Sequence, residues 1–319
     1  MAREKDVATK KFMNDNEVFA DAVNYCIFKG QKVITPGDLH ELDTSETLLV
    51  VGEDENGREI REGVQKYRDV LKSCIVKRTD KRTYVIVGVE NQTEINYAMP
   101  VKTMLYDAIN YGNQVKELAK KNRAGKNYEN NAEFLSGLKK TDRLIPVITI
   151  TVCFNPSEWD GARSLHELLL TDEENQDILE YVNDYKLNLI AAGEIKDFNK
   201  FSSKLGKVLE FIAASTDRNR LTELLHREQD FFTAADADSV DLLNMWIGSR
   251  IKVDKNRKKA IDVCKGLEDW IADEKNQTTK TIVIRMYKKG FDLSDIADCT
   301  DVDIDKVKDI IKEEQVCVM

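Results

Sequence analysis

Two runs of β-branched and aliphatic residues, RDVLKSCIVKR (68–78) and RTYVIVGVENQ (82–92), stand three residues apart and constrain the fold more than anything else in the chain. Their spacing predicts an antiparallel hairpin, although the intervening T-D-K lacks the favoured Asn-Gly pair. With Thr79 and Asp80 as the loop, opposed residues have numbers that sum to 159, so Asp69 falls across from Glu90. Side chains alternate along a strand, which puts Gln92 and Gly88 on the face of Glu90. Facing carboxylates repel unless a proton or cation lies between them, and hard oxygen donors suit Mg2+ or Mn2+. The hairpin therefore predicts a divalent-metal site. The alternative is that both acids point to solvent at a sheet end, neutralised by Arg68, Lys72 or Lys81.

The flanking segments extend this into an α/β core. Residues 5–29 carry apolar positions at helical spacing, with Asp15 and Asn16 marking a break. GQKVITPGDLHELD reads as a turn-rich connector, SETLLVVG as a short strand and EDENGREIREG as a charged loop. A helix is expected over 98–121, ended by the polar KKNRAGKNYENN. LIPVITITVCF is continuous enough for a strand buried on both faces, and DYKLNLIAA adds another. From about 198 onward the apolar spacing is helical. The expected division is a first domain over 1–215 and a helical extension over 216–319 that ends in a helix-turn-helix-like segment.

D-V-L-K at 69–72, G-V-E-N-Q-T-E at 88–94 and Y-A-M-P-V-K-T-M-L-Y-D at 97–107, in that order, resemble the Rpn/YhgA-like family of PD-(D/E)XK recombination-promoting nucleases, also described as transposase-like proteins. The early D-x-x-x-K of Asp6 and Lys10, and EVFAD around Glu17 and Asp21, fit the same pattern. The resemblance implies a restriction-endonuclease-like mixed sheet and metal-dependent hydrolysis of DNA, linked to recombination or mobile elements. Asp69 and Glu90 would then hold Mg2+ (or Mn2+), with Asp6, Lys10, Glu17 and Tyr106 as accessory residues. Two positions depart from the superfamily motif. Arg68 replaces the proline before the aspartate, and Gln92 stands where lysine supplies positive charge. Lys102, on the following helix and four residues before Tyr106, is the expected replacement for that charge. A catalytically inactive relative that binds nucleic acid or protein is the competing expectation.

Composition limits the partners. The net charge of -9 excludes a polybasic coat for nucleic acid, yet residues 115–143 carry eight basic residues against four acidic ones. Lys116, Lys120, Lys121, Arg123 and Lys126 are thus the expected contacts to a DNA backbone. Between Phe291 and Glu314 nine acidic residues face three lysines, which disfavours a DNA-reading helix there and favours packing or protein contact. The six cysteines show no metal or disulfide spacing, and the three histidines form no ligand pair. No P-loop and no G-x-G-x-x-G occurs. No membrane-spanning run or secretory leader is read, so a cytoplasmic location is expected, with a homo-oligomer allowed.

Overall fold

The computed structural model describes residues 2–43, 45–53, 59–67, 69–77, 82–126, 128–171, 173–253 and 259–317. Arg68, Lys81 and the Thr79-Asp80 loop of the expected hairpin lie outside the described residues. The chain divides into two compact units, Met1–Glu228 with Asp241–Ile247, and Gln229–Val240 with Gly248–Met319.

The first unit opens with two helices, α1 (Ala2–Asn14) and α2 (Asn16–Phe28). Asp15 caps α2 by accepting from the Glu17 N–H at 2.9 Å, which is why the helical pattern breaks there. Next come β1 (Leu39–Glu41), β2 (Ser45–Glu53), β3 (Glu59–Tyr67), β4 (Val70–Lys77) and β5 (Arg82–Gln92). Helix α3 (Met99–Gly125) follows, then α4 (Asn131–Ser136), β6 (Val147–Cys153), β7 (Asn188–Ala191), α5 (Lys204–Ala214) and α6 (Arg218–Arg227).

Five strands form a mixed sheet in the order β1-β4-β5-β6-β7. β4 is antiparallel to β1 and β5, whereas β6 runs parallel to β5 and β7. The β4–β5 register runs from Val70↔Val89 to Lys77↔Arg82, the sum of 159 expected from the sequence. The apolar run at β6 is buried along nearly its whole length, as a strand covered on both faces must be.

Alternation along this ladder separates the two faces. Leu71, Ile86 and Val147 pack with Tyr111 of α3. Lys72 points the other way, where its Nζ donates to the Asn14 carbonyl at 2.7 Å and lies 5.4 Å from the Phe19 ring centroid. The sheet is thus sandwiched between α1/α2 and α3, with Phe12, Phe19, Val87 and Val89 among its fully buried side chains.

Two loop expectations are corrected. EDENGREIREG supplies most of β3, which pairs along its length with β2 as a separate two-stranded sheet. Charged residues fall on both alternating sets of positions, Glu59 and Arg61 on one and Glu62 and Lys66 on the other, so neither set is apolar and pattern alone hid a strand that backbone pairing creates. The connector at 30–43 contains β1, a three-residue edge strand against β4.

α7 (Gln229–Phe232) begins the second unit and α8 (Ala237–Ile247) crosses the division between the units. The remainder is α9 (Val263–Lys288), α10 (Leu293–Thr300) and α11 (Ile304–Cys317), whose core joins Val283, Ile296, Val307, Ile310 and Ile311. Among the described residues, no helix is long and apolar enough to cross a membrane.

Candidate functional site

Asp69 immediately precedes the Val70↔Val89 pair and therefore stands across from Glu90, on the sheet face that α3 covers. Its Oδ2 accepts from the Asn91 N–H at 2.8 Å, which fixes the carboxylate beside the end of β5. Burial raises the Asp69 pKa above the usual carboxylate value. The Asn91 N–H, Lys102 and Lys10 oppose that shift, while Asp6 adds to it. Asp6 and Lys10, at i and i+4 on α1, both act electrostatically on Asp69, and Asp6 lines the same cleft.

Glu90 is almost fully buried, and its Oε2 lies 2.9 Å from Lys102 Nζ. Lys102 reaches it from the first turn of α3, a helix that starts at Met99 with Pro100 just inside and the Asn96 side chain accepting from the Ala98 N–H at 3.0 Å. Lys102 Nζ also lies 5.9 Å from the ring centroid of buried Tyr106, one turn further along. Gln92 shares the face of Glu90, and its Nε2 donates to the Asn91 carbonyl at 3.0 Å. A cleft of about 660 Å³ is lined by Asp6, Asp69, Asn91, Gln92, Tyr97 and Lys102 among others.

Other expected residues stand elsewhere. Glu17 is exposed in the first turn of α2 and is not among the residues lining this cleft. Asp21 is buried and accepts from the backbone N–H and hydroxyl groups of both Ser202 and Ser203, so its position in EVFAD serves packing of α2 against the start of α5. Lys72, considered as a neutraliser of the two acids, is excluded from that part by its place on the opposite sheet face.

Lys116, Lys120, Lys121, Arg123 and Lys126 are all exposed along the distal half of α3 and its C-cap. Lys120 is eighteen residues beyond Lys102, about 27 Å along the helix axis. The segment after α3 is held against this half. Asn122 Nδ2 donates to the Gly137 carbonyl at 3.0 Å and to Asp142 Oδ2 at 2.7 Å. Gly137, at φ +76°, lies so near Ala119 that a Cβ on it would meet the alanine Cβ at 2.7 Å. Glu133 accepts from the Glu129 and Lys140 N–H groups. The basic side chains of 116–143 therefore project from a built surface.

Sequence reasoning missed Asn91. It is 4% exposed, and neither its Nδ2 nor its Oδ1 has a hydrogen-bond partner among the described residues. Its signal was available, since an amide between Glu90 and Gln92 in an otherwise apolar strand is costly unless something satisfies it. Asp107 was also missed. It accepts from Thr149 Oγ1 at 2.6 Å and from the Tyr185 hydroxyl, tying α3 to the sheet.

Among the described residues no group of three or more His, Cys, Asp or Glu side chains is arranged to hold a metal ion. Asp69 and Glu90 remain as two hard carboxylate donors at the end of one hairpin. Comparison with protein-family models, with curated proteins and with solved structures returns no match.

Proposed function

We propose that the chain is a divalent-metal-dependent DNA endonuclease of PD-(D/E)XK type, related to the Rpn/YhgA-like nucleases. The observation that carries this reading is the placement of Asp69, Glu90, Gln92 and Lys102 at one end of the β4–β5 hairpin, with Asp69, Gln92 and Lys102 lining an open cleft and Glu90 buried against Lys102. The donor set fits Mg2+, which usually keeps several waters and is bound by one or two carboxylates together with substrate phosphates. When bound, Mg2+ supplies Lewis-acid polarisation of the phosphate and lowers the pKa of water.

The protein groups around it divide the remaining work. Asp69 and Glu90 are the candidate ligands. Gln92 has a carboxamide oxygen with which to accept a hydrogen bond from water and aim it, but it carries no charge. Lys102 brings that charge from α3, and a substrate phosphate competes with Glu90 for its ammonium group. Lys116, Lys120, Lys121, Arg123 and Lys126 extend positive charge along the helix that starts at the site, a disposition suited to tracking a DNA backbone.

Purified protein incubated with supercoiled plasmid in Mg2+ should nick or linearise it, and chelator should stop the reaction. Asp69→Asn and Glu90→Gln should each abolish cleavage. Cutting at the wild-type rate by either variant would sink the metal assignment. The second reading, a non-catalytic relative, draws on the Glu90–Lys102 ion pair, which already neutralises one of the two acids. It predicts DNA retention with no cleavage in any divalent metal.

A further inference from the structure

Tyr97 occupies the wall of the cleft between the acidic hairpin and α3, five residues after Gln92 and five before Lys102. Tyr97 is 61% exposed, yet it has neighbours on the protein side. Its hydroxyl donates to Asp160 Oδ2 at 3.4 Å, and Gly161 lies against it so closely that a Cβ there would come within 3.3 Å of Tyr97 Cδ1. The support behind Gly161 is itself anchored. Trp159 is buried with Met99, Cys153 and Ala191, its backbone N–H donates to Glu194 Oε1 at 2.7 Å, and Arg163 pairs with the same carboxylate at 2.5 Å.

An aromatic face held ready at the edge of a polar cleft suits a flat, weakly polar ligand. The charges beside it decide which part of a nucleic acid that is. Asp160 bonds the Tyr97 hydroxyl, and Glu94 lines the same cleft three residues earlier, so a phosphodiester is repelled at this wall. A nucleobase carries no such charge, and every base has a face that stacks.

Resting on the nuclease reading above, we infer that Tyr97 is a stacking platform for an unpaired base next to the scissile phosphate, so that the substrate is single-stranded or locally opened DNA. A base inside an intact duplex is already stacked on both sides and cannot present its face to a fixed ring. Tyr97 is thus a positioning residue, separate from the groups that would act on the phosphate.

The test uses single-stranded oligonucleotides of about 20 nucleotides, matched to known single-strand site sizes, with one 2-aminopurine moved through the sequence and Ca2+ replacing Mg2+. Wild-type protein should quench the fluorophore at one position, and Tyr97→Phe and Tyr97→Trp should keep that quench. Tyr97→Ala should lose it and bind roughly five- to 150-fold more weakly, the range expected for one stacked base. A wild-type quench that persists in Tyr97→Ala overturns the inference, as does unchanged affinity, while leaving the nuclease reading intact. Absence of DNA binding by wild-type protein in both Ca2+ and Mg2+ overturns both.

Discussion

Lys102 Nζ lies 2.9 Å from Glu90 Oε2, so a residue at the start of α3 brings positive charge to a strand whose own E-x-K position holds Gln92. The salt bridge is asymmetric in exposure, with Glu90 at 2% and Lys102 at 35%. Removal of the lysine takes a charged partner from a buried acid, whereas removal of the acid leaves a lysine that water can solvate.

Lys102→Ala should accordingly lower turnover at saturating DNA by about a hundred- to thousandfold, the usual loss for one electrostatic donor. In a double-mutant cycle with Glu90→Gln, read by chemical denaturation, the pair should couple by about 1 kcal/mol, because partial exposure of Lys102 keeps it near the low end of coupled charges. Equal denaturation midpoints for Lys102→Ala and wild type would contradict the pairing.

Neutralising Lys120, Lys121 or Arg123 should have the opposite signature. These side chains are exposed some five turns beyond Lys102, so each substitution should weaken DNA affinity and flatten the log–log salt dependence by about 0.9 for each phosphate that the protein then leaves unneutralised. Single-turnover rates at saturation should hold. A binding titration at several salt concentrations separates the two sets of variants.

The hairpin was legible because its register is arithmetic. Once a two-residue loop is assumed, alternating apolar side chains fix which residues share a face, and a slip of one would have turned Val87 and Val89 from the α1/α2 face to the face of Asp69. The strand Glu59–Tyr67 was not legible from periodicity, although the Asn56-Gly57 pair before it is a hairpin signal. The pairing of Lys102 with Glu90 could be anticipated only as a shared neighbourhood. Asp21 and Asp107 could not be assigned at all, because a buried acid on a helix is explained by its acceptor geometry toward Ser202, Ser203, Thr149 and Tyr185, which lie between 42 and 182 residues away in the chain.

Acid should loosen the surface that carries the basic residues. Backbone N–H groups of Glu129 and Lys140 lower the Glu133 pKa below its ordinary 4.5, and the Lys139 N–H with Asn122 lowers that of Asp142 below 3.8. Depressed carboxylates contribute stability that is complete above their ordinary values and is lost as pH falls through the folded-state values. Thermal melts of Glu133→Gln and Asp142→Asn should therefore fall below wild type at neutral pH and converge with it in acid. Parallel curves throughout would show that these carboxylates do not hold the segment.

Asp21→Ala should destabilise the first unit by about 2–3 kcal/mol, since it leaves the N–H and hydroxyl groups of Ser202 and Ser203 without their charged acceptor. Asp21→Asn should recover part of the loss. Urea midpoints would measure both, and a midpoint for Asp21→Ala equal to wild type would contradict the clamp.

The same clamp bears on the order of events during synthesis. Asp21 leaves the ribosome before its partners, which follow 181 and 182 residues later. At translation speeds of about 5–20 residues per second, that gap is roughly 10–40 s. Throughout it, α2 carries a charged group whose native acceptor role is unfilled, on the face it shares with Val18, Tyr25 and Phe28. The N-terminal helices therefore have no finished docking place on the growing chain, and the first unit is expected to close late, when the start of α5 emerges to meet them.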